Sequence, residues 1–146
     1  MKLQKATCFA LFAVLELAAD PARQLSAAEI AEKYDISQHH LAKVLRDLAR
    51  AGIVESARGV GGGYRFAGNP KRLTMMDVIE LFEPIRPDRA DGDDPRPNTD
   101  IGRALRTVLN EIDEHAQATW RSISVSTMLK IVRQRPVAVA RDQTKT

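Results

Sequence analysis

Gln38, His39, His40, Lys43 and Arg46 crowd one short run of this 146-residue chain. Amide and imidazole groups can read base edges in a major groove, and lysine and arginine take either phosphate oxygens or guanine. A second stretch, Glu55-Ser-Ala-Arg-Gly-Val-Gly-Gly-Gly-Tyr-Arg-Phe66, sets one arginine, Arg58, in a glycine-rich turn between two extended segments. Glycines at 59, 61, 62 and 63 permit left-handed backbone and close approach to another surface, and an arginine near such a tip reaches a minor groove or a phosphate. A phosphate-cradling nucleotide loop is the rival reading of the glycines. It fails on context, because no helix carrying Lys-Ser/Thr follows and the residues after Phe66 are Ala-Gly-Asn-Pro. A purely structural hairpin would use the glycines but would not require the arginine. Adjacent histidines on a helix point about 100° apart, so His39 and His40 fit contact with DNA or solvent better than a shared metal ion.

To present those side chains the chain needs two helices joined by a tight turn. Ser26 with Glu29 spells a capping box, in which the serine oxygen accepts an orphan backbone N–H and the glutamate answers it. The helix it opens buries Ile30 and Ala31 and ends near Lys33-Tyr34. Asp35-Ile36-Ser37 forms the turn, and Ser37 caps a third helix with apolar face Leu41, Val44, Leu45 and Leu48, stopped at Gly52. Such a turn sets the second helix at a steep angle, so that its N-terminal face projects outward. Ile53-Val54 begins a strand and Tyr64-Arg65-Phe66 returns.

Around this unit, residues 3–19 form a scaffold helix with apolar positions Phe9, Phe12, Val14, Leu15 and Leu17, stopped by Asp20-Pro21. Thr74 caps a helix through Phe82 with Val78, Ile79 and Phe82 inward, and Pro84 ends it. Thr99 or Asp100 caps a long helix to about Trp120, whose stripe Ile101, Leu105, Val108, Leu109 and Ile112 is too long for so small a chain to cover alone. Its simplest partner is the same helix of a second subunit. Trp120 and Met128 read as packing residues. A final helix, Val125 to Val132, is capped by Ser122 or Ser124. The expected fold is mainly α with a small β-wing: a winged helix-turn-helix DNA-binding domain over 1–83, a flexible loop over 84–99, dimerisation helices over 100–135 and a disordered tail over 136–146.

Charge is more informative in its distribution than in its total of +3. From Lys33 to Arg72 the basic residues are Lys33, Lys43, Arg46, Arg50, Arg58, Arg65, Lys71 and Arg72, against Asp35, Asp47 and Glu55. From Glu83 to Asp100 the balance reverses, with Glu83, Asp88, Asp91, Asp93, Asp94 and Asp100 against Arg86, Arg89 and Arg96. One end suits a polyanion and the other avoids phosphate. The single cysteine, Cys8, excludes an internal disulfide framework and fits a reducing compartment. No signal peptide and no apolar run of membrane-spanning length is evident, so a soluble cytoplasmic protein is expected, without membrane partners. No Ser/Cys/His/Asp constellation or cofactor loop survives inspection, and the chain does not read as an enzyme.

Met1-Lys-Leu with Ala10-Leu11, the Ile36-Ser37 turn, Leu41, Leu45, Leu48 and Gly52-Ile53-Val54, Arg58-Gly-Val-Gly-Gly-Gly-Tyr64 and Asp77-Val78-Ile79 together resemble winged-helix regulators of the IscR, NsrR, RirA and CymR type, the Rrf-two family. The resemblance is close over about residues 1–83. It implies a homodimer on double-stranded DNA at a partly palindromic operator, with a recognition helix in each major groove and a wing arginine in the adjoining minor groove. On that template Ser37, Gln38, His39, His40, Lys43 and Arg46 are the recognition-helix candidates, and Arg58, Gly61 and Tyr64 those of the wing. Where IscR carries a base-reading glutamate this chain has Ala42, which implies a different operator preference.

Cluster-binding members resemble one another in three cysteines before the long helix, and this chain has none there. A cluster held by three loop thiolates is chemically excluded, and no cofactor or metal is expected. The loop aspartates read as a solvated charge run. Cys8 stands where NsrR-like relatives place a non-cysteine cluster ligand on the first helix. It is either a small buried hydrophobe or a redox-active thiol, or a haem or metal ligand acting with His115 or a partner subunit. The leading reading is a transcriptional regulator, a repressor, answering to a small molecule, a partner protein or a thiol oxidant. The alternative is a winged-helix protein-interaction module governed by a partner enzyme, against which Arg58 and the basic recognition face weigh.

Overall fold

A computed structural model of the chain describes residues 2–59, 62–83 and 98–135. Gly61, the loop reading of 84–97 and the tail reading of 136–146 lie outside the described residues. The elements follow as α1 (Lys5–Ala19), α2 (Ala27–Tyr34), α3 (Gln38–Arg50), β1 (Val54–Ala57), β2 (Gly63–Phe66), α4 (Met75–Phe82), α5 (Asp100–Ser122) and α6 (Val125–Gln134).

Local signals account for most boundaries. Ser26 and Glu29 close the expected capping box at the start of α2. Thr74 and Asp77 close a second at the start of α4. Helix α3 ends before Gly52, whose φ of 77° is a left-handed value that a side chain resists. Asp35 takes the same conformation at the end of α2, with φ of 52°, and its N–H bonds back to the Ala31 and Glu32 carbonyls. That left-handed residue makes the turn between α2 and α3 short. Thr99 Oγ1 caps α5 by accepting from Gly102 N–H, and Ser124 caps α6 by accepting from Thr127 N–H.

The core is built on α1, which packs against α3, α4, α6 and β2. Ala10, Ala13, Val14 and Leu17 of α1 meet Leu41, Val44, Leu45 and Leu48 of α3, with Val54 and Phe66 of the hairpin, Val78 of α4 and Val125 of α6. Trp120 and Met128 pack against this cluster, as their type and position suggested. Phe12, among the apolar positions of this helix, does not join the core. It is 42% exposed, stacked flat on Tyr34 at 4.9 Å between ring centroids. Helix α1 is apolar on nearly every side, so spacing alone does not tell its inner face from its outer one.

The two strands pair antiparallel in the register Val54 to Phe66, Glu55 to Arg65, Ser56 to Tyr64 and Ala57 to Gly63. A further bridge joins Leu25 to Tyr64 on the other edge of β2. Helix α6 returns to the body of the molecule. Val125 N–H donates to Leu73 O and Met75 N–H to Ile123 O, each at 2.8 Å, around the bridge Thr74 to Ser124. Helix α5 packs on α4 and leaves Ile101, Leu105, Val108, Leu109 and Ile112 exposed, Ile101 by 76%.

Candidate nucleic-acid interface

The chemistry-bearing face of α3 is the outward half of an amphipathic helix. Leu41, Val44, Leu45 and Leu48 are buried against α1 and α2, and this anchoring leaves Gln38, His39, His40, Lys43 and Arg46 exposed. His39, Lys43 and Arg46 stand four and three residues apart, so they share one side of the helix. Ser37 sits at the N-cap, its Oγ 3.5 Å from His40 N, a weak cap that orients the first turn. Among the described residues neither Lys43 nor Arg46 enters an ion pair, whereas Arg50 pairs with Asp47 at 3.7 Å. The cations on the projecting face are therefore the ones free to meet an anion.

Arg58 leaves the end of β1 exposed and likewise outside any ion pair among the described residues. Arg65 is different. Its Nε pairs with the Glu55 carboxylate directly across the hairpin, which holds that arginine on the strand surface. The register thus separates a spoken-for arginine from a presented one. Tyr64 is half-buried against the core and its backbone makes the bridge to Leu25, so it anchors the wing as well as lining it. Gly63 is one of the glycines expected to permit close approach to another surface, and the surface it approaches is the backbone at Leu25. A Cβ built on it would lie 2.8 Å from Leu25 O.

A second cluster lies on α1 and α2. Glu16 accepts from the Tyr34 hydroxyl and pairs with Lys33 Nζ at 2.7 Å. Burial raises the Glu16 pKa, but the bonds from Lys33 and Tyr34 outweigh it and leave the carboxyl below its ordinary value. Burial, followed by the same carboxylate, pushes the Tyr34 hydroxyl well above its usual range. Both groups stay in their ordinary charge states at neutral pH, as suits a structural tie.

A family model named Rrf2 and described as "Iron-dependent Transcriptional regulator" matches residues 3–131. The chain belongs to the Rrf2 family. It is similar, at 57% identity over 134 residues, to the protein of Rhodopseudomonas palustris described as the HTH-type transcriptional regulator BadM, covering 90% of this chain and 83% of that one. The CymR structure described as the global cysteine regulator of B. subtilis superposes with a TM-score of 0.73 at 26% identity, over 90% of this chain and 98% of CymR. T. potens IscR superposes with a TM-score of 0.74 at 23% identity, over 95% and 93% of the two chains, a likeness of fold. This Rrf2 protein is a transcriptional regulator and not an enzyme.

Iron in the family's description raises the question of ligands. An Rrf2 cluster on three cysteines needs thiolates that this chain lacks, since Cys8 is its only one. Cys8 is half-buried on α1. Among the described residues no three His, Cys, Asp or Glu side chains are grouped to hold a metal ion. The donor set does not fit a three-cysteine cluster. No helix among the described residues is long and apolar enough to cross a membrane.

Proposed function

We propose that this Rrf2 regulator works as a homodimeric repressor on a partly palindromic operator, reading major-groove edges with α3 and an adjoining minor groove with the wing. The observation that carries the reading is the division of α3. Its apolar side is fixed in the core, while Gln38, His39, His40, Lys43 and Arg46 stand exposed with both cations unpaired among the described residues. Arg58 presents a further guanidinium from the wing, the side chain best suited to a narrow, electronegative minor groove. Ser37 and Gln38 lie where a helix N-terminus favours phosphate.

The α5 stripe supplies the second subunit. Ile101, Leu105, Val108, Leu109 and Ile112 recur at three- and four-residue intervals and are all exposed, an apolar seam of the kind that two antiparallel copies cover symmetrically. Repression follows from occupancy of the operator, with the signal entering through a small molecule or a partner protein. Light scattering coupled to size exclusion tests both halves. The full chain alone should elute at twice its mass. With a duplex enriched by the wild type from a random pool, it should bind two chains per duplex. A monomer at micromolar concentration, or one chain per duplex, would contradict the reading.

A further inference from the structure

The wing is held at two ends. At one, β1 follows α3 through Gly52, with Ile53 N–H donating to Leu48 O at 3.1 Å. At the other, β2 is bridged to the residue just before the N-cap of α2. Leu25 N–H donates to Tyr64 O at 3.0 Å, and Tyr64 N–H to Leu25 O at 2.8 Å. Two reciprocal rungs fix both distance and direction, because each bond weakens steeply when its angle bends. The close approach depends on the neighbour of Tyr64. A Cβ on Gly63 would fall 2.8 Å from Leu25 O, 3.0 Å from Leu25 C and 3.2 Å from Ser26 N, all backbone atoms that no rotamer change can move aside.

We propose that Gly63 is a positioning residue for operator reading: by admitting the Leu25–Tyr64 bridge it locks the wing to the helix-turn-helix and so aims Arg58. The proposal rests on the assignment of Arg58 to the minor groove. Without the bridge the hairpin keeps its register and its Phe66 anchor, but its tip is free to swing about the end of α3. Two groove contacts made by one rigid body must match the spacing of the grooves, and a displacement of an ångström at the hinge is larger at the tip.

A double-mutant cycle on the full chain tests this, with Gly63→Ala and Arg58→Ala titrated singly and together against the duplex enriched by the wild type. In the wild-type background Arg58→Ala should weaken binding about tenfold and relax sequence preference where the wing meets the minor groove. Gly63→Ala should weaken binding comparably, and the added loss from Arg58→Ala in its background should fall to less than about threefold, since a misaimed arginine has little left to lose. Leu25→Pro deletes one rung's donor without touching the glycine and should give the same compression; it decides the matter if Gly63→Ala fails to fold. A full tenfold loss from Arg58→Ala in the Gly63→Ala or Leu25→Pro background would overturn the proposal. No loss from Arg58→Ala in the wild type would instead sink the minor-groove assignment beneath it.

Discussion

The Glu83 carboxylate, at the end of α4, completes the start of α1 through Thr7. It accepts from Gln4 N–H at 2.6 Å and from Thr7 Oγ1 at 2.8 Å. Gln4 makes no side-chain cap of its own, and Thr7 stands where a capping box would carry its acid. A residue 76 positions away supplies the missing carboxylate, through a hydroxyl that is fully buried. Glu83→Ala should therefore lower stability by about 1–2 kcal/mol, losing a cap and stranding a buried donor. Glu83→Gln, which keeps an acceptor, should cost less. Urea unfolding reads this as a lower midpoint at unchanged m-value. Equal midpoints for Glu83→Ala and wild type would show that the bonds contribute nothing.

The tie between Glu16 and Tyr34 makes a pH prediction. A carboxyl whose folded pKa lies below its unfolded value of 4.5 contributes stability above that pH, and loses it as pH falls through the lower folded value. Wild type should exceed Glu16→Gln in stability by about 1 kcal/mol at neutral pH, a modest figure because Lys33 is largely exposed. The difference should shrink on acidification below about pH 4.5. Thermal melts of both proteins from pH 7 to 3 check the sign; a gap that widened in acid would refute the assignment.

Lys43→Ala and Arg46→Ala should leave the melting temperature nearly unchanged, because both side chains are exposed. Each should weaken operator binding. If the side chain meets phosphate, the loss is uniform across sequences and the salt slope falls by about one; if it meets a base, discrimination at one position falls by about 1–3 kcal/mol. Leu45→Ala, on the buried side of the same helix, should cost about 2–5 kcal/mol of stability instead. Anisotropy titrations beside melts separate these outcomes.

Leu105→Asp on α5 should convert a dimer into monomers without unfolding the core, since Leu105 is more than half exposed in the single chain. A carboxylate placed twice in a two-fold apolar seam meets its own copy and loses water for no partner. Sedimentation at micromolar concentration reads the mass, and an unchanged mass would remove α5 from the interface.

What could be read from residue types alone was local. Ser26 with Glu29, Ser37, Thr74 and Gly52 mark boundaries because a cap or a left-handed residue acts within one turn, and the structure uses all of them. The outward and inward halves of α3 were legible for the same reason, since a helix with a polar side declares it by spacing. Contacts between distant segments were not. Nothing near Glu83 announces Thr7, and it reads as one more acid in a charged run. Leu25 looks like an ordinary residue before a cap, yet it pairs with Tyr64. Nor does any local signal announce that the start of α6 is stitched to the residues leading into α4 while the helix packs on α1. Arg106, one turn after Gly102 on the buried side of α5, is only 9% exposed, which no periodicity anticipates for a cation.

Selection of bound duplexes from a random pool by the full-length protein, followed by sequencing, is the most direct measurement. Two copies of α3 presented by a two-fold dimer should enrich an inverted repeat whose half-sites lie about 10 base pairs, or a multiple of that, centre to centre. Arg46→Ala should relax or lose that enrichment. A pool that stays random, or one that converges on a single half-site without symmetry, would contradict a dimeric operator reader.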